Sequence, residues 1–480
     1  MPAEQEWLTF ARWGEQWGTC RSSCFIRPLL IYQYAGDICS ITVLGQPLII
    51  LNSAKAAFEM LDKKSAIYSD RPVLQMGGEL VGWKNTLVLL PYGDRFRRYR
   101  KFFHQSIGSF HAMKRFLPLE EREMRRFLQK LIAKPDDLAS HIRWTVGSVI
   151  LKVSHGYDVK EIRDPFVELA ERATEQFALA TAPGGHLVDV IPALRHLPTW
   201  FPGAGFRRRA CVWSQTLSQM VDQPFAFVQQ QMAAGVAQPS FTSVMLENKN
   251  MTQEELFDLK WSAASLYSGA ADTTVSALYA FFLAMTMFPH VAKRAQQEID
   301  AVIGTDRLPG FADRERLPFG RLAIWMSATS LISPPSKAVP HRVMQDDVHD
   351  GYLIPKGSLV IPNVWKITHD PRTYRDPMVF NPDRFLSSET RAAEPDPRDI
   401  CFGFGRRTCP GAHLADTTLF IMCATTLAVV DISKRIENGV IVEPVHENTT
   451  GTISHPKPFK CSIRPRSEKA VFLIQSEDVN

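Results

Sequence analysis

Apolar residues at helical spacing dominate the second half of the chain. Thr252 and Glu255 form the capping box that starts a helix, and the helical pattern continues until Pro289 stops it. At about 1.5 Å per residue, this helix is roughly 50 Å long. A second apolar run, from Leu414 to Ile432, predicts another helix soon after Pro410. The pattern predicts a mostly helical protein with one helix long enough to cross it.

The N-terminal part of the chain carries a strand pattern instead. Hydrophobic residues from Ile41 to Leu51 surround Gly45-Gln46-Pro47, and this arrangement predicts a β-hairpin. The segment from Thr19 to Ala35, which precedes it, shows no clear periodicity.

Helix breakers interrupt the chain between Glu171 and Phe206, where Pro183-Gly184-Gly185 and later prolines separate helical pieces. The apolar residues between these breakers favour a mobile lid. Ordinary connections between helices over a core explain the same pattern equally well.

Length and composition limit the class of protein. A chain of 480 residues suggests about three domains, but no linker, repeat or low-complexity tract divides this one, so we predict a single domain over 1–480. Apolar residues make up 45% of the chain, which allows a large core. The net charge of +5 is small for this length and argues against nucleic acid as a partner.

The eight cysteines are scattered, which suits a reducing compartment better than a disulfide framework. Cys20 and Cys24 are the only close pair, and a metal site there would need two more ligands. No apolar run reaches the roughly 18 residues of a membrane span, and no signal peptide follows Met1. The sequence thus predicts no membrane anchor in this chain.

Cys409 lies between a glycine-rich turn and the second predicted helix. The positive end of that helix, together with Arg406 and Arg407, favours the thiolate form of the cysteine. Gly405 and Gly411 leave space for a flat group against the backbone. A thiolate beside glycines and arginines suits a haem iron, with a guanidinium reaching a propionate.

Two alternatives compete for this stretch. The first is a buried structural cysteine, which is the commoner role of an arbitrary cysteine. The second is a nucleotide-binding loop, because Gly403 and Gly405 follow a short strand pattern. That loop lacks the third glycine and the immediate helix of GxGxxG.

The ten residues from 402 to 411 resemble the haem-binding signature F-x-x-G-x-R-x-C-x-G of the cytochromes P-450. The five fixed positions are matched by Phe402, Gly405, Arg407, Cys409 and Gly411. The resemblance implies the P-450 fold, which is mainly α with small β-sheets (α+β) and forms a single large domain. It also implies haem b as the cofactor, with Cys409 as the axial thiolate ligand of the iron and with Phe402, Arg407 and Gly411 in contact with the haem.

The long predicted helix carries Gly269-Ala270-Ala271-Asp272-Thr273-Thr274 in its middle. An acid beside an alcohol can hold water and pass protons, although such a threonine often bonds only to its own helix. The run resembles the P-450 motif [AG]-G-x-[DE]-T-[TS], which implies proton delivery by Asp272 and Thr273 and haem contact at Gly269. Ala270 replaces the usual second glycine, which implies a tighter oxygen groove.

Basic residues from 95 to 101 form a run at helical spacing, which is either a solvated face or a functional one. In the resemblance, Phe96 and Arg100 occupy the positions that contact the haem propionates. Phenylalanine stands where tryptophan is usual and offers no hydrogen-bond donor. His341 and Arg342 resemble the residues that reach a propionate from a strand, although a structural histidine is the alternative for His341.

The resemblance fails at one helix. The family's E-x-x-R pair falls at Met326 and Thr329, which cannot form a buried ion pair, and the turn that follows is one residue longer than usual. Arg384 normally completes this network, so it must find carbonyls, another acid or water. The segment 19–35 is an apparent insertion relative to the family, either a surface loop or untranslated sequence.

The resemblance otherwise covers nearly the whole chain and divides it into parts. It implies a β-rich part at 36–60 and 340–365, and a helical part with the haem site at 80–335 and 365–440. The tail from Gly451 to Phe459 resembles the last hairpin of the family, whose tip enters the substrate pocket.

The implied activity is that of a monooxygenase, which inserts one atom of O2 into a small hydrophobic substrate. The match is closest to fungal members of the O-methylsterigmatocystin oxidoreductase type, which implies fungal secondary metabolism or xenobiotic oxidation. Two alternatives remain. One is a non-catalytic or misannotated P-450-like protein that retains haem poorly because the E-x-x-R pair is missing. The other is an isomerase or peroxygenase.

The implied partner is NADPH-cytochrome P-450 reductase, which would dock on the basic face near Arg98 and Lys101. No nucleic acid is expected. The resemblance implies a monomer with peripheral membrane contact on the cytoplasmic side of the endoplasmic reticulum. Because no anchor is predicted, a cytoplasmic protein is expected if the sequence is complete.

Overall fold

The structure is a computed structural model that describes residues 6–16, 30–34, 36–182, 184–248, 250–329, 338–449 and 453–476. At positions 16, 30–34 and 328–329 it describes the backbone alone. Cys20 and Cys24 lie outside the described residues. So does the turn after Thr329 that was predicted to be one residue longer than usual.

Helices make up most of the described chain. The α-helices are α1 Glu6–Gln16, α2 Ala54–Ala57, α3 Ser65–Tyr68, α4 Asp94–Ile107, α5 Phe110–Met113, α6 Leu117–Ala133, α7 Leu138–His155, α8 Pro165–Ala180, α9 Leu187–Val190, α10 Gly205–Ala233, α11 Phe241–Leu246, α12 Gln253–Met287, α13 Pro289–Val302, α14 Pro318–Thr329, α15 Val364–Thr368, α16 Arg398–Cys401, α17 Ala412–Val429 and α18 Glu468–Gln475. The π-helical turns are Phe58–Lys63 and Gln75–Val81, and the 3₁₀ turns are Trp83–Asn85, Lys114–Phe116, Pro135–Asp137, Pro192–His196, Phe311–Arg316, Pro382–Phe385 and Gly405–Arg407.

The strands of the described chain form small sheets. They are β1 Leu30–Tyr34, β2 Ile38–Val43, β3 Gln46–Leu51, β4 His341–Arg342, β5 Asp347–His349, β6 Tyr352–Ile354, β7 Leu359–Pro362, β8 Val430–Glu437, β9 Val440–Val442 and β10 Cys461–Pro465. Their orders are β1-β2-β3-β7-β4, β10-β8-β9 and β5-β6. Only β3 and β7 pair in parallel among these strands. The mainly helical α+β fold is therefore confirmed.

Helix α12 is the central element of the fold. Its capping box is present, since the Thr252 side chain accepts from the backbone N–H of Glu255 and the Glu255 side chain accepts in return. The helix ends before Phe288, and Pro289 begins α13, as the pattern predicted. Because α12 contacts α4, α7, α8, α10, α14 and α17, nearly every layer of the protein packs against it.

The predicted helix from Leu414 to Ile432 is too long by three residues. Helix α17 ends at Val429, and Val430 already has extended backbone angles, φ −127° and ψ 146°. Buried Val430 and Ile432 alternate with exposed Asp431, which is the strand pattern. Pairing with β10 therefore ends the helix earlier than its hydrophobicity alone suggests.

The N-terminal sheet contains the predicted hairpin. Strands β2 and β3 pair from Ile38↔Leu51 to Val43↔Gln46, and the turn is made by Leu44 and Gly45, both with positive φ. Residues 30–34, at the end of the predicted insertion, form β1 at the edge of this sheet. The rest of that segment, 19–29 and 35, lies outside the described residues, so its interpretation as an insertion remains a prediction.

The predicted lid consists of short helices separated by turns. After α8, the chain forms α9 and a 3₁₀ turn before α10 begins at Gly205. Several of its apolar side chains are exposed, including Leu187, Ile191 and Trp200. Whether this segment moves is still a prediction.

Two helices of the described chain, α12 and α17, are long and apolar enough to cross a membrane by length and composition. Both contain polar residues, so neither is an unbroken apolar run. The most hydrophobic windows of the two helices are 61% and 78% buried inside the protein. Burial of this kind is typical of core helices.

Candidate active site

A cavity of about 370 Å³ lies between the middle of α12 and the loop before α17. Its volume is within the range of about 300–1,000 Å³ that is typical of ligand and cofactor sites. All but two of the predicted site residues line it, namely Phe96, Arg100, Gly269, Thr273, His341, Phe402, Arg407, Cys409 and Gly411. The two that do not are Asp272 and Arg342. The fold therefore gathers residues from four distant segments around one cavity.

Cys409 is held by its own loop. Its backbone N–H donates to the carbonyl of Phe402 at 2.8 Å, and the backbone N–H of Gly411 donates to its sulfur. The side chain is accessible, but only from the cavity, since protein surrounds the sulfur on the other sides. The sulfur is thus presented to whatever occupies the cavity.

The prediction that the protein alone favours the thiolate is wrong. Burial raises the pKa of Cys409, and the Gly411 N–H and the charge of Arg100 lower it only in part. Arg406 instead donates to the hydroxyl of Tyr92 near the surface. A thiolate ligand would therefore depend on a bound metal ion, which deprotonates a coordinating thiol.

Glycines shape the loop in a way that differs from the prediction. Gly405 has φ +52°, and a Cβ atom there would lie 2.4 Å from the carbonyl oxygen of Leu61. Gly405 is therefore required for packing against the 58–63 turn rather than for space beside a ligand. Gly411 does line the cavity, and a Cβ there would have only the Cys409 sulfur, at 3.9 Å, within 4 Å.

Three arginines give the cavity its charge. Arg407 donates to the carbonyls of Ser69 (2.6 Å) and Leu90 (2.7 Å), and its guanidinium lies 4.0 Å from the centre of the Phe96 ring. Arg100 donates to the carbonyl of Thr408 at 2.5 Å. Arg71, which the sequence analysis did not place in the site, is buried and also lines the cavity. Among the described lining residues there is no carboxylate to balance these charges.

This excess of positive charge shows in the pKa values. Burial lowers the pKa of Arg407 to about 10; attraction to nearby Asp70 opposes this shift, and repulsion from Arg100 adds to it. Burial also lowers the pKa of Arg71, with repulsion from Arg407. A cavity that has buried cations but no carboxylate in its lining fits a ligand with anionic groups, such as the two propionates of haem. The residues present therefore fit this cofactor.

His341 and Arg342 face different surroundings although they are neighbours on β4. The Nδ1 atom of His341 is 2.7 Å from the carbonyl of Tyr68, and burial together with Arg71 and Arg407 lowers the pKa of His341. The histidine is therefore neutral. Arg342 lies outside the cavity, with its Nε 3.8 Å from Asp70, because successive strand residues point to opposite faces.

The predicted proton-delivery pair on α12 is divided between two cavities. The hydroxyl of Thr273 donates to the carbonyl of Gly269 at 2.9 Å, which is the ordinary intrahelical bond, and both residues line the main cavity. Asp272 lines a second cavity of about 590 Å³, where its carboxylate is 3.1 Å from Nε2 of His455. His455 was not among the predicted site residues, because only the three-dimensional fold brings it to α12.

Helix α14, which lacks the E-x-x-R pair, is braced by a different set of contacts. Met326 is buried among apolar residues, and the indole N–H of Trp325 donates to Asp416 of α17 at 2.9 Å. Arg314 and Arg398 also pair with Asp416. The side chain of Thr329 lies outside the described residues.

Arg384 pairs with another acid and with backbone carbonyls, as predicted from the missing E-x-x-R pair. Its Nη1 lies 3.0 Å from the carboxylate of Glu394, and its Nη2 donates to the carbonyls of Asp376 (3.0 Å) and Val379 (2.9 Å). Both charged side chains are nearly buried, with 5% and 13% exposure. Only Nε of Arg384 lacks a hydrogen-bond partner among the described residues.

The basic run on α4 is less positive than its sequence suggests. Arg95 and Arg98 both pair with the buried carboxylate of Asp258, at 2.6 and 2.7 Å. Arg98 also pairs with Glu254. Of the two residues predicted for the docking face, Lys101 is exposed while Arg98 is largely neutralised.

The helical fold thus brings a cysteine sulfur, a long helix and buried arginines together around one cavity. Residues 30–462 match the family model described as Cytochrome P-450. The chain belongs to the cytochrome P-450 family.

The relatives are named monooxygenases. Cytochrome P-450 monooxygenase 208 of Postia placenta is 50% identical over 474 residues, which covers 99% of this chain and 89% of the relative. Monooxygenase claR of Ampulloclitocybe clavipes is 46% identical over 99% of this chain and 85% of its own length. These relatives support a fungal-type P-450 monooxygenase, and nothing in the comparisons favours a non-catalytic protein.

The fold is also found among solved structures. A zebra fish cytochrome P-450, in a structure with abiraterone, superposes with a TM-score of 0.72 over 96% of this chain and 100% of that chain. At 20% identity it supports the fold alone. The family uses haem iron, a redox partner, O2 and small substrates, and its members are generally associated with the endoplasmic reticulum.

Proposed function

We propose that this chain is a haem-thiolate monooxygenase in which Cys409 is the axial ligand, and that it oxidises small hydrophobic molecules. The observation that carries the proposal is the shared cavity: the Cys409 sulfur, the small residue Gly269 and the hydroxyl-bearing Thr273 all line it. When bound, haem supplies the activation of O2 with electrons from NADPH.

Arg71, Arg100, Arg407 and His341 would hold the anionic edge of the cofactor. The arginines already lie against backbone carbonyls, so their positions are fixed before an anion arrives. A propionate near His341 would raise the pKa of this histidine and favour a second N–H. A Cβ atom at Gly269 would meet nothing within 4 Å, so α12 offers an open face to a flat group.

Thr273 and Asp272 would supply protons from opposite sides of α12. Thr273 can turn its hydroxyl from the Gly269 carbonyl toward the main cavity. Asp272 can take up protons from the more polar second cavity. The contact with Nε2 of His455 holds the Asp272 carboxylate in that second cavity. Rotation of Asp272 away from His455 would connect the two compartments.

The substrate would be a small apolar molecule. Beyond the cofactor contacts, the cavity wall is mostly hydrophobic, with polar hydroxyls at a few positions only. The apolar part consists mainly of Trp83, Leu87, Phe103, Phe177, Leu266 and Ile453. Ile453 belongs to the C-terminal segment whose tip was predicted to enter the substrate pocket.

The electron donor would be NADPH-cytochrome P-450 reductase. Lys101 offers an exposed cation on α4, and the remaining charge of that face is reduced by Asp258 and Glu254. We therefore propose a narrower docking surface than the sequence implied. A position on the cytoplasmic side of the endoplasmic reticulum, with peripheral contact through exposed Leu187 and Trp200, is part of the same proposal.

The proposal is tested by isotope-labelled O2. The haem-loaded protein is incubated with reductase, NADPH and a panel of small apolar compounds, and the products are analysed by mass spectrometry. We expect one labelled oxygen atom per product and strict dependence on NADPH and reductase. Unlabelled products, or products that form without NADPH, would instead identify an isomerase or a peroxygenase.

The double variant Met326→Glu with Thr329→Arg separates the proposal from the non-catalytic alternative. This change restores the family's pair on α14. We expect no gain in haem retention or turnover, because Arg384 already has Glu394 as its acid. Activity that appears only in the double variant would show that the natural chain is impaired.

A further inference from the structure

A histidine and two carboxylates converge on the outside of the β5–β6 hairpin. Nε2 of His349 lies 3.8 Å from a carboxylate oxygen of Glu59 and 3.8 Å from one of Asp350. The three ligand atoms all lie within 4.8 Å of one another. His349 ends β5, Asp350 follows in the turn, and Glu59 comes from the 58–63 helical turn. Two segments far apart in sequence thus supply one compact cluster.

The histidine is the observation that points to a ligand. His349 is only 5% exposed, and its Nε2 atom has no hydrogen-bond partner among the described residues. A buried polar nitrogen without a partner is uncommon and is often explained by a water molecule or an ion. Because both carboxylates lie beyond hydrogen-bond distance of this nitrogen, direct hydrogen bonds do not satisfy it.

The spacing suits a metal ion placed among the three groups. Zinc binds imidazole nitrogen and carboxylate oxygen at about 2.0–2.2 Å, so two of its ligand atoms lie roughly 3–4 Å apart. The distances of 3.8 Å in this cluster therefore need only small side-chain adjustments. The exposed side of Asp350 leaves room for water as a fourth ligand.

The charge of the cluster also fits a divalent cation. Glu59 and Asp350 bring two carboxylates to the imidazole of His349. The neighbouring Lys64 does not cancel them, because it pairs with Asp347 at 2.7 Å and donates to the carbonyl of Val348. The nitrogen ligand favours a zinc-type transition metal over magnesium or calcium, which prefer oxygen ligands.

We propose that Glu59, His349 and Asp350 form a zinc-type metal site that joins the β5–β6 hairpin to the 58–63 turn. This turn also packs against the cysteine loop, since the Leu61 carbonyl closely approaches Gly405. A bound metal would therefore stiffen the support of that loop. The site is separate from the main cavity, because none of its ligands lines it.

Titration of zinc sulfate into the full-length, haem-loaded protein tests the proposal by calorimetry. We expect one site per chain, with zinc bound at least tenfold more tightly than magnesium. His349→Ala should weaken zinc binding more than tenfold, and Glu59→Gln and Asp350→Asn should each weaken it. Melting curves with zinc and with a chelator give a second readout, with the higher melting temperature in zinc.

Matched controls decide the outcome. Asp376→Asn changes another aspartate with positive φ, and His111→Ala removes an exposed histidine elsewhere; both should bind zinc like the wild type. If His349→Ala fails to fold, the half-exposed Asp350→Asn provides the test. Absence of zinc binding, or equal affinity in all variants, would overturn the proposal and leave a simple cluster of charged groups.

Discussion

Helix α14 packs directly against the cysteine loop, since the ring centres of Trp325 and Phe402 lie 5.4 Å apart. The two regions nevertheless differ in how far they keep the residues of the family. Residues 402–411 keep every fixed position of the family signature, and four of those five line one cavity. Helix α14 has lost the family's buried ion pair, and Met326 stands there among apolar residues. The residues of the cysteine loop are constrained by the chemistry of the site. Helix α14 has only a structural role, so different side chains can hold it in position.

The bracing role has moved to other side chains. Arg384 pairs with Glu394, ten residues further along the chain, and Trp325 is fixed by Asp416. The ligand loop tolerates little change, because its sulfur must face the cavity. The ion pair that supports it can change, because any acid that reaches Arg384 can serve as its partner. The missing pair is therefore not evidence of a lost function.

The largest expected effect follows from replacing the sulfur. Cys409→Ala should abolish the thiolate-type absorption shift that the reduced, haem-loaded protein gives with carbon monoxide, because no other sulfur occupies the ligand position. Cys401 also lines the cavity and serves as the matched control. Cys401→Ala should keep the shift. A normal absorption shift in Cys409→Ala would show that Cys409 is not the axial ligand.

The second-largest expected effect is on stability and concerns Met326, the apolar residue at the position of the family's acid on α14. Met326 is 2% exposed, so Met326→Glu would bury a carboxylate, and we expect the free energy of unfolding to fall by about 3 kcal/mol or more. Met326→Leu conserves the volume and should cost less than about 1.5 kcal/mol. Urea unfolding measures both. A Met326→Glu protein that is as stable as the wild type would show that a cation already lies close enough to pair with the new carboxylate.

A smaller effect comes from the helix behind the ligand loop. Glu120 of α6 is buried and accepts hydrogen bonds from Thr417 and Thr418 of α17. Burial raises the pKa of Glu120 from 4.5 to about 8, despite these bonds. Between those two values the folded protein therefore holds more protons than the unfolded chain, so its stability falls as the pH rises.

We expect this group to lower the free energy of unfolding by about 1 kcal/mol per pH unit through the middle of that interval. Above about pH 8 its contribution becomes constant. Denaturant unfolding at several pH values measures the slope, and Glu120→Gln should flatten it. An equal slope in the wild type and in Glu120→Gln would place the pH dependence in other groups.

The sequence anticipated the parts of the site that lie within short motifs. The ten-residue signature placed Cys409 and Arg407, and the pattern of α12 placed Gly269 and Thr273 at the same cavity. The position of these residues at one cavity could be anticipated because a motif fixes local geometry, and a long helix fixes the direction of its faces. Their roles in the site stay predictions.

The sequence did not anticipate contacts that depend on distant segments. His455 reaches Asp272, and Glu394 reaches Arg384, through packing that no local pattern encodes. The role of Gly405 was wrong for the same reason, since its neighbour is the remote carbonyl of Leu61. The thiolate prediction for Cys409 considered nearby charges but omitted burial, which dominates its pKa.

The central claim is that Glu394 replaces the missing acid and lets the intact cysteine loop keep its haem. The most direct test is the haem retained per chain after gel filtration of the wild type and Glu394→Gln, with exposed Glu389→Gln as the control. We predict close to one haem per chain in the wild type and the control, and loss of most haem in Glu394→Gln. Equal retention in all three proteins would contradict the claim.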